Sequence, residues 1–315
     1  MPIYELDNEP NGWIAVHHDV RPQNIGYSEL LQRSMAYARA IKAADPTALV
    51  LGPGDIAPAD LDCNGGGAPG TCNGDSASNH GNTPLGLYYL QQFAAQGTRL
   101  LDYYAMHYPG SCCFSTNGTL ADTVTAIERH KGWIARAYPG TRLAYDEWNR
   151  GTGNGIADAI NTLDGLGVFG QQGVDLASFF GLNAPSDPSA YAFLLMRDYD
   201  GNGAAFGETS ITATTADASR LTVYAAQRSA DGAVMVAVAN HGASPLTSAL
   251  TLANVTDAQP VRVYTYSPAA RGIAAGSSLA PGSVIYPTFP AQSITMLVVP
   301  SGATPLAAGR RPRSR

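Results

Sequence analysis

Ile3–Trp13 reads I-Y-E-L-D-N-E-P-N-G-W. Ile3, Tyr4 and Leu6 form a short apolar run rich in strand formers. The run stops at Asp7-Asn8-Glu9-Pro10, where Pro10 cannot donate to a ladder and restricts Glu9 to extended geometry. A strand thus ends with an amide and a carboxylate at its mouth, the place where (β/α) barrels carry their reactive groups. Far downstream, Thr141–Asn149 reads T-R-L-A-Y-D-E-W-N, a second short strand that ends in Glu147 beside Trp148. Either Glu alone reads as a solvated loop acid. Two strand ends that each offer Glu beside Asn or Trp read as a pair.

The chain between and around them alternates strand and helix. Tyr27–Ala44 has helical apolar spacing, with Ser28 as its N-cap and Asp45-Pro46 as its stop. Ala48–Leu51 is a short buried strand, Leu85–Gln96 a helix, Leu100–His107 a strand, and Leu120–Ala137 a helix. After Arg142–Asp146 come a helix over Asn154–Phe169, a strand over Val174–Phe179 and a helix over Ser189–Arg197. Strand–helix repeated five times predicts a parallel α/β arrangement. From Ala205 the texture changes to short strands with turns between: Thr212–Thr215, Leu221–Gln227, Val234–Asn240, Leu246–Leu252, Val261–Ser267, Gly282–Phe289 and Ser293–Val299. Asp231-Gly232 marks a hairpin, and strands of this spacing predict a sandwich. The fold class expected is therefore α/β, a partial (β/α)8 barrel of five βα units followed by an all-β sandwich. The expected domains are 1–204 for the barrel part and 205–300 for the sandwich, with a disordered tail over 301–315.

The paired carboxyls suit glycoside cleavage. One protonates the leaving oxygen, the other attacks the anomeric carbon, and a neighbouring amide holds a sugar hydroxyl. Glu9, Glu147 and Asn8 match those roles in type. Trp13 and Trp148 sit beside the two acids, and aromatic faces suit the apolar faces of pyranose rings.

I-Y-E-L-D-N-E-P-N-G-W, D-Y-Y-A-M-H-Y-P, L-A-Y-D-E-W-N and R-D-Y-D-G-N-G-A-A-F-G-E-T-S-I resemble glycoside hydrolase family 44, over residues 3 to 300. The family comprises bacterial endoglucanases and xyloglucanases with a barrel followed by a β-sandwich. The resemblance implies Glu9 as acid/base and Glu147 as nucleophile, with retention of configuration. It places His107 and Tyr108 at the sugar beside the cleavage point, where a core histidine bonded to backbone is the other reading. It implies a retaining endo-β-1,4-glucanase acting on cellulose-type β-glucan, with xyloglucan as a further substrate. It also makes the N-E-P strand the fourth of the barrel, so the first three units are expected outside this chain, with that N-terminal barrel portion as a partner. Two readings compete: a retaining xylanase on the same layout, and a non-catalytic carbohydrate-binding or inactive fragment.

Composition excludes other classes. The chain has 315 residues, 45% of them hydrophobic, and a formal net charge of −6, which argues against a nucleic-acid surface. No apolar run approaches the length of a membrane span. The chemistry needs no cofactor, and no metal is expected. Asp198–Gly203 begins like a calcium loop, D-Y-D-G-N-G, but the twelfth position is Thr209 instead of Glu. Cys63 and Cys72 flank a Gly/Asn-rich loop, and Cys112 and Cys113 are adjacent. Disulfides are favoured over zinc, which points to an oxidising compartment and a secreted protein.

Overall fold

The computed structural model describes residues 2–300 apart from 21, 23, 24, 56–74, 76, 108–118, 151, 152, 154, 183, 185 and 256–258. All four cysteines, Tyr108 and the 301–315 tail fall outside the described residues, and the expectations attached to them with it.

Five strands form one parallel sheet in sequence order: β1 (Ile3–Glu5), β2 (Leu49–Asp55), β3 (Tyr103–Met106), β4 (Arg142–Trp148) and β5 (Leu176–Phe179). This is a half-barrel sheet. In sequence the strands alternate with α2 (Tyr27–Ala44), α3 (Leu85–Ala94), α4 (Leu120–Ala137) and α5 (Ile156–Gln172); α1 (Trp13–Val16) is a single turn, and α6 (Pro188–Arg197) follows β5. Parallel strands buried on both faces need near-continuous apolar runs. β3 fits this, with Tyr103, Tyr104, Ala105 and Met106 all buried. Helix α4 starts at a capping box in which Thr119 and Asp122 satisfy each other's backbone N–H. Helix α2 starts differently from expectation. Gly26 is its N-cap, and Ser28 instead donates its backbone N–H to Asp75 Oδ2 at 2.6 Å.

The chain divides into two units, 1–149 with 172–181 and 150–171 with 182–315. The second unit is a β-sandwich with α5 and α6 attached. Its larger sheet has six strands in the order β12 (Ala274–Ala275), β11 (Arg262–Tyr266), β15 (Ser293–Val299), β8 (Val234–Asn240), β7 (Leu221–Gln227), β6 (Thr209–Ile211). Two short pairs, β9 (Leu246–Thr247) with β14 (Thr288–Phe289) and β10 (Leu250–Thr251) with β13 (Val284–Ile285), face it. Val236, Val238 and Leu297 pack against Leu252, Ile285 and Phe289 in the core between. The expected strand at Thr212–Thr215 lies earlier, at β6. Leu246–Leu252 and Gly282–Phe289 each break into two pieces, because Pro287 has no N–H for a ladder and Ser248 donates to its carbonyl at 3.1 Å. The D-x-D-x-N-G carboxylates serve the turn itself: Asp200 Oδ1 accepts from the N–H groups of Asn202 and Ala204, and Asp198 Oδ1 from Gly203.

Candidate active site

The C-terminal ends of β1, β3 and β4 bring the candidate residues together. After β1 the chain follows β2 closely: Leu6 N–H donates to Leu51 O at 2.8 Å and Glu9 N–H to Gly54 O at 2.9 Å. The backbone between is not extended. Asp7 and Glu9 both have positive φ, 73° and 44°, a left-handed conformation that costs a non-glycine residue of the order of 1 kcal/mol and collects at functional sites. Pro10 opens a 3-10 turn over Pro10–Gly12, which aims Glu9 back over the sheet. Asn8 accepts the indole N–H of Trp13 on its carbonyl at 2.9 Å, so Trp13 is pinned beside the acid.

His107 follows β3 and is 1% exposed. Its backbone N–H donates to Asp55 O at the end of β2. Its ring stands between acids. Nδ1 lies 2.9 Å from Glu9 Oε1 and 3.7 Å from Glu147 Oε2, while Nε2 lies 3.9 Å from Glu5 Oε1. One ligand-type atom from each of Glu9, His107 and Glu147 lies within 4.8 Å of the others, and the same holds for Glu5, His107 and Asp146. The two acids that can do glycosidic chemistry therefore face each other across one imidazole nitrogen.

Consecutive residues of a regular strand point to opposite faces, yet Asp146 and Glu147 both reach His107. The register of β4 against β5 shifts between Tyr145 and Trp148, and that irregularity turns both carboxyls the same way. Trp148 goes the other way. It is 2% exposed and packs edge-on against Phe179 at 5.0 Å, so it builds the wall beneath the site. Asn149 Nδ2 donates to Phe180 O and fixes the chain beyond it.

Burial pushes the Asp146 carboxyl up to about 8, with the charge of Glu5 adding to the effect and His107 opposing it. Burial alone would lower the His107 imidazole, but Glu5, Asp146, Glu147 and Glu9 around it raise it to about 9. Glu147 is raised by burial and by the charges of Glu9 and Glu5, against the pull of His107. Ligand-type atoms this close would also suit a cation, but one triad contains both candidate carboxyls and the other shares its histidine.

Sequence reasoning picked out Glu9, Glu147, Asn8, Trp13, His107 and Trp148 and missed Glu5 and Asp146. Their signal was present, an acid inside each apolar strand, but its weight depends on β1 and β4 converging on one histidine. It also missed Gly54 on β2, at φ 68°, where a Cβ would stand 2.5 Å from Glu5 Oε1.

Residues 1–110 match the model of Glycoside hydrolase family 44. The chain is 30% identical over 268 residues to Endoglucanase A of Paenibacillus lautus, an alignment that takes in 71% of this chain and 37% of that protein. Among solved structures it superposes on CelM2, described as a bifunctional glucanase-xylanase protein from a metagenome library, with a TM-score of 0.85 at 31% identity, covering 96% of this chain and 65% of that one. A xyloglucanase of Paenibacillus polymyxa gives a TM-score of 0.83 at 26% identity, with 95% and 66% covered. The chain thus spans just under two thirds of these solved relatives and little over a third of the curated one. With an N-E-P carboxyl and a D-E-W carboxyl meeting at the open ends of a parallel sheet, and a sandwich following, the chain belongs to glycoside hydrolase family 44.

Proposed function

We propose that this chain carries the acid/base and the nucleophile of a retaining endo-β-1,4-glucanase, with xyloglucan among its substrates. The observation that carries the reading is the approach of Glu9 and Glu147, whose nearest ligand-type oxygens lie within 4.8 Å. Retaining enzymes hold their carboxyls about 5–5.5 Å apart, whereas inverting ones leave about 6.5–9.5 Å for a water. In the first step Glu147 bonds to the anomeric carbon as the bond to the leaving oxygen breaks, and Glu9 gives that oxygen its proton. In the second, water attacks the same carbon, Glu147 leaves, and Glu9 takes the proton back. Asn8 holds the 2-hydroxyl of the sugar in the cleavage subsite, and Trp13 flanks it.

The barrel portion that the solved relatives have beyond the span of this chain is proposed as the partner that completes the cleft, added along β1. Secretion is proposed as well, since β-glucans are polymers that do not enter cells. Appearance of the protein in the culture medium of its native host would test that.

Reducing-end assays on xyloglucan, mixed-linkage glucan, carboxymethylcellulose and xylan test the substrate class, with the chain alone and extended to the length of its solved relatives. Glu147→Gln should abolish formation of a glycosyl-enzyme detectable by mass spectrometry. Glu9→Gln should cut turnover of the polymer about 10²–10⁴-fold, and less on substrates with a good leaving group. Identical responses of the two variants to leaving-group pKa would reverse the role assignment. Xylan as the fastest substrate would favour the xylanase reading.

A further inference from the structure

We propose that Glu5 and Asp146 carry one proton between them beside His107, and so keep that imidazole positively charged between Glu9 and Glu147 throughout the reaction. The proposal rests on the catalytic reading above for its purpose, but not for its chemistry.

His107 has Glu9 and Glu147 at Nδ1 and Glu5 at Nε2, and Asp146 joins Glu5 and the imidazole within 4.8 Å. The titratable groups that face it among the described residues are Glu5 from β1, Glu9 beyond β1, and Asp146 and Glu147 from β4; β2 contributes the backbone carbonyl of Asp55. Both carboxylate oxygens of Asp146 are buried, and the side chain close enough to share a proton with them is Glu5. A bare carboxylate there would carry a large desolvation cost, so Asp146 takes a proton. Two acids crowded together share a proton for the same reason like charges cannot both ionise cheaply. The upward shifts of Asp146 and His107 agree with this inventory.

The inventory suits retention. Before attack, Glu147 is the anion and Glu9 holds a proton. In the glycosyl-enzyme, Glu147 is an ester and Glu9 is the anion. One negative charge therefore moves from Glu147 to Glu9 and back. His107 Nδ1 is 3.7 Å from one and 2.9 Å from the other, so a single fixed cation serves both states without rearranging. Glu5 and Asp146 are positioning residues in this scheme and act through His107. Gly54 has its own part, because a Cβ there would collide with Glu5 and push it out of the pair.

The test is the titration of His107, followed by NMR of imidazole-labelled full chain and assigned against His107→Gln. An ordinary histidine is about nine-tenths neutral at about pH 7.5, whereas His107 should remain protonated there. Asp146→Asn leaves the Glu5 carboxyl 3.9 Å from Nε2 and should keep His107 charged. The double variant Glu5→Gln/Asp146→Asn removes the charge and should lower the midpoint by about one unit or more. In an active, extended form the double variant should bring the alkaline limb of kcat down by the same interval with KM little changed, a response that loss of packing would not give. A parent midpoint at the ordinary value, or a double variant with an unmoved midpoint, overturns the proposal, and the parent alone decides if the double variant does not fold. A high midpoint in a protein that cleaves no glycan would leave the charge arrangement standing and refute the catalytic reading. An ordinary midpoint in an active enzyme would do the reverse.

Discussion

Gly54 and Asp146 show how single residues set this site. At φ 68°, Gly54 occupies a conformation that side chains rarely adopt, and a Cβ there would lie 2.5 Å from Glu5 Oε1 and 2.6 Å from Asp7 O. Gly54→Ala should therefore cost about 1–3 kcal/mol of stability in urea unfolding; a change under about 0.5 kcal/mol would mean that the loop yields freely. Asp146 makes stability depend on pH. Its carboxyl rises from 3.8 to about 8, so the native state keeps a proton that the unfolded chain gives up across that interval, and unfolding grows easier as pH rises through it. His107 rises from 6.5 to about 9, so its contribution is fully present below 6.5 and is lost as pH climbs to about 9. Both slopes have the same sign, and of these two groups Asp146 alone acts between pH 3.8 and 6.5; buried His130, lowered from 6.5 to about 3, works the other way there and is common to parent and variant. Melting temperatures of Asp146→Asn and the parent, measured across that window, should diverge in favour of the variant as pH rises. Parallel curves would refute the assignment.

At the scale of elements, legibility followed the strength of the periodic signal. The ends of α2 and α4 and of β7, β8 and β15 fall where apolar spacing puts them, because long amphipathic or alternating runs have one good register. The short pieces β9, β10, β13 and β14 do not separate in the sequence, since their breaks depend on a proline carbonyl taken up by Ser248, distant along the chain. Pro10 favours an extended Glu9, and the left-handed φ observed instead reflects tertiary bonding to β2, which local rules do not contain. Helix α5 holds a further long-range feature. Its buried Asp164 accepts from Thr222 Oγ1 at 2.5 Å and Tyr224 OH at 2.9 Å on β7, and lies 3.2 Å from His241 Nε2. Tyr224→Phe removes one donor from a buried carboxylate and should cost about 1.5–3 kcal/mol, read as a lower urea midpoint of the unit to which α5 and β7 belong. The exposed capping box of α4 is worth less: Thr119→Ala should cost about 1 kcal/mol. An equal loss in the two variants would deny Asp164 its role as an anchor.

For the molecule as a whole, the sheet is the issue. Each edge strand of the five-stranded parallel sheet, β1 and β5, has one neighbour among the described residues. Parallel sheets are normally covered and barrels have no edges at all. Ile3 and Tyr4 point to opposite faces of β1, and both are 46% exposed, so neither face of that strand is covered. Beside it a cavity of about 360 Å³ opens between β1 and α2, lined by Glu5, Leu6, Trp13, Leu30, Arg33 and Tyr37, among others. That edge is open to a second copy of the chain. These 315 residues expressed alone should therefore self-associate through β1 as concentration rises, a tendency that light scattering after size exclusion measures directly. Ile3→Lys with Tyr4→Lys puts charge on both faces of the edge, the means by which natural sheets prevent edge pairing, and should return the chain to a monomer. Chains extended to the length of the solved relatives should be monomeric without those substitutions, because a covered β1 has no free ladder to offer. Association that persists in the double lysine variant would place the sticky surface elsewhere, and a parent that stays monomeric would show that β1 is already protected.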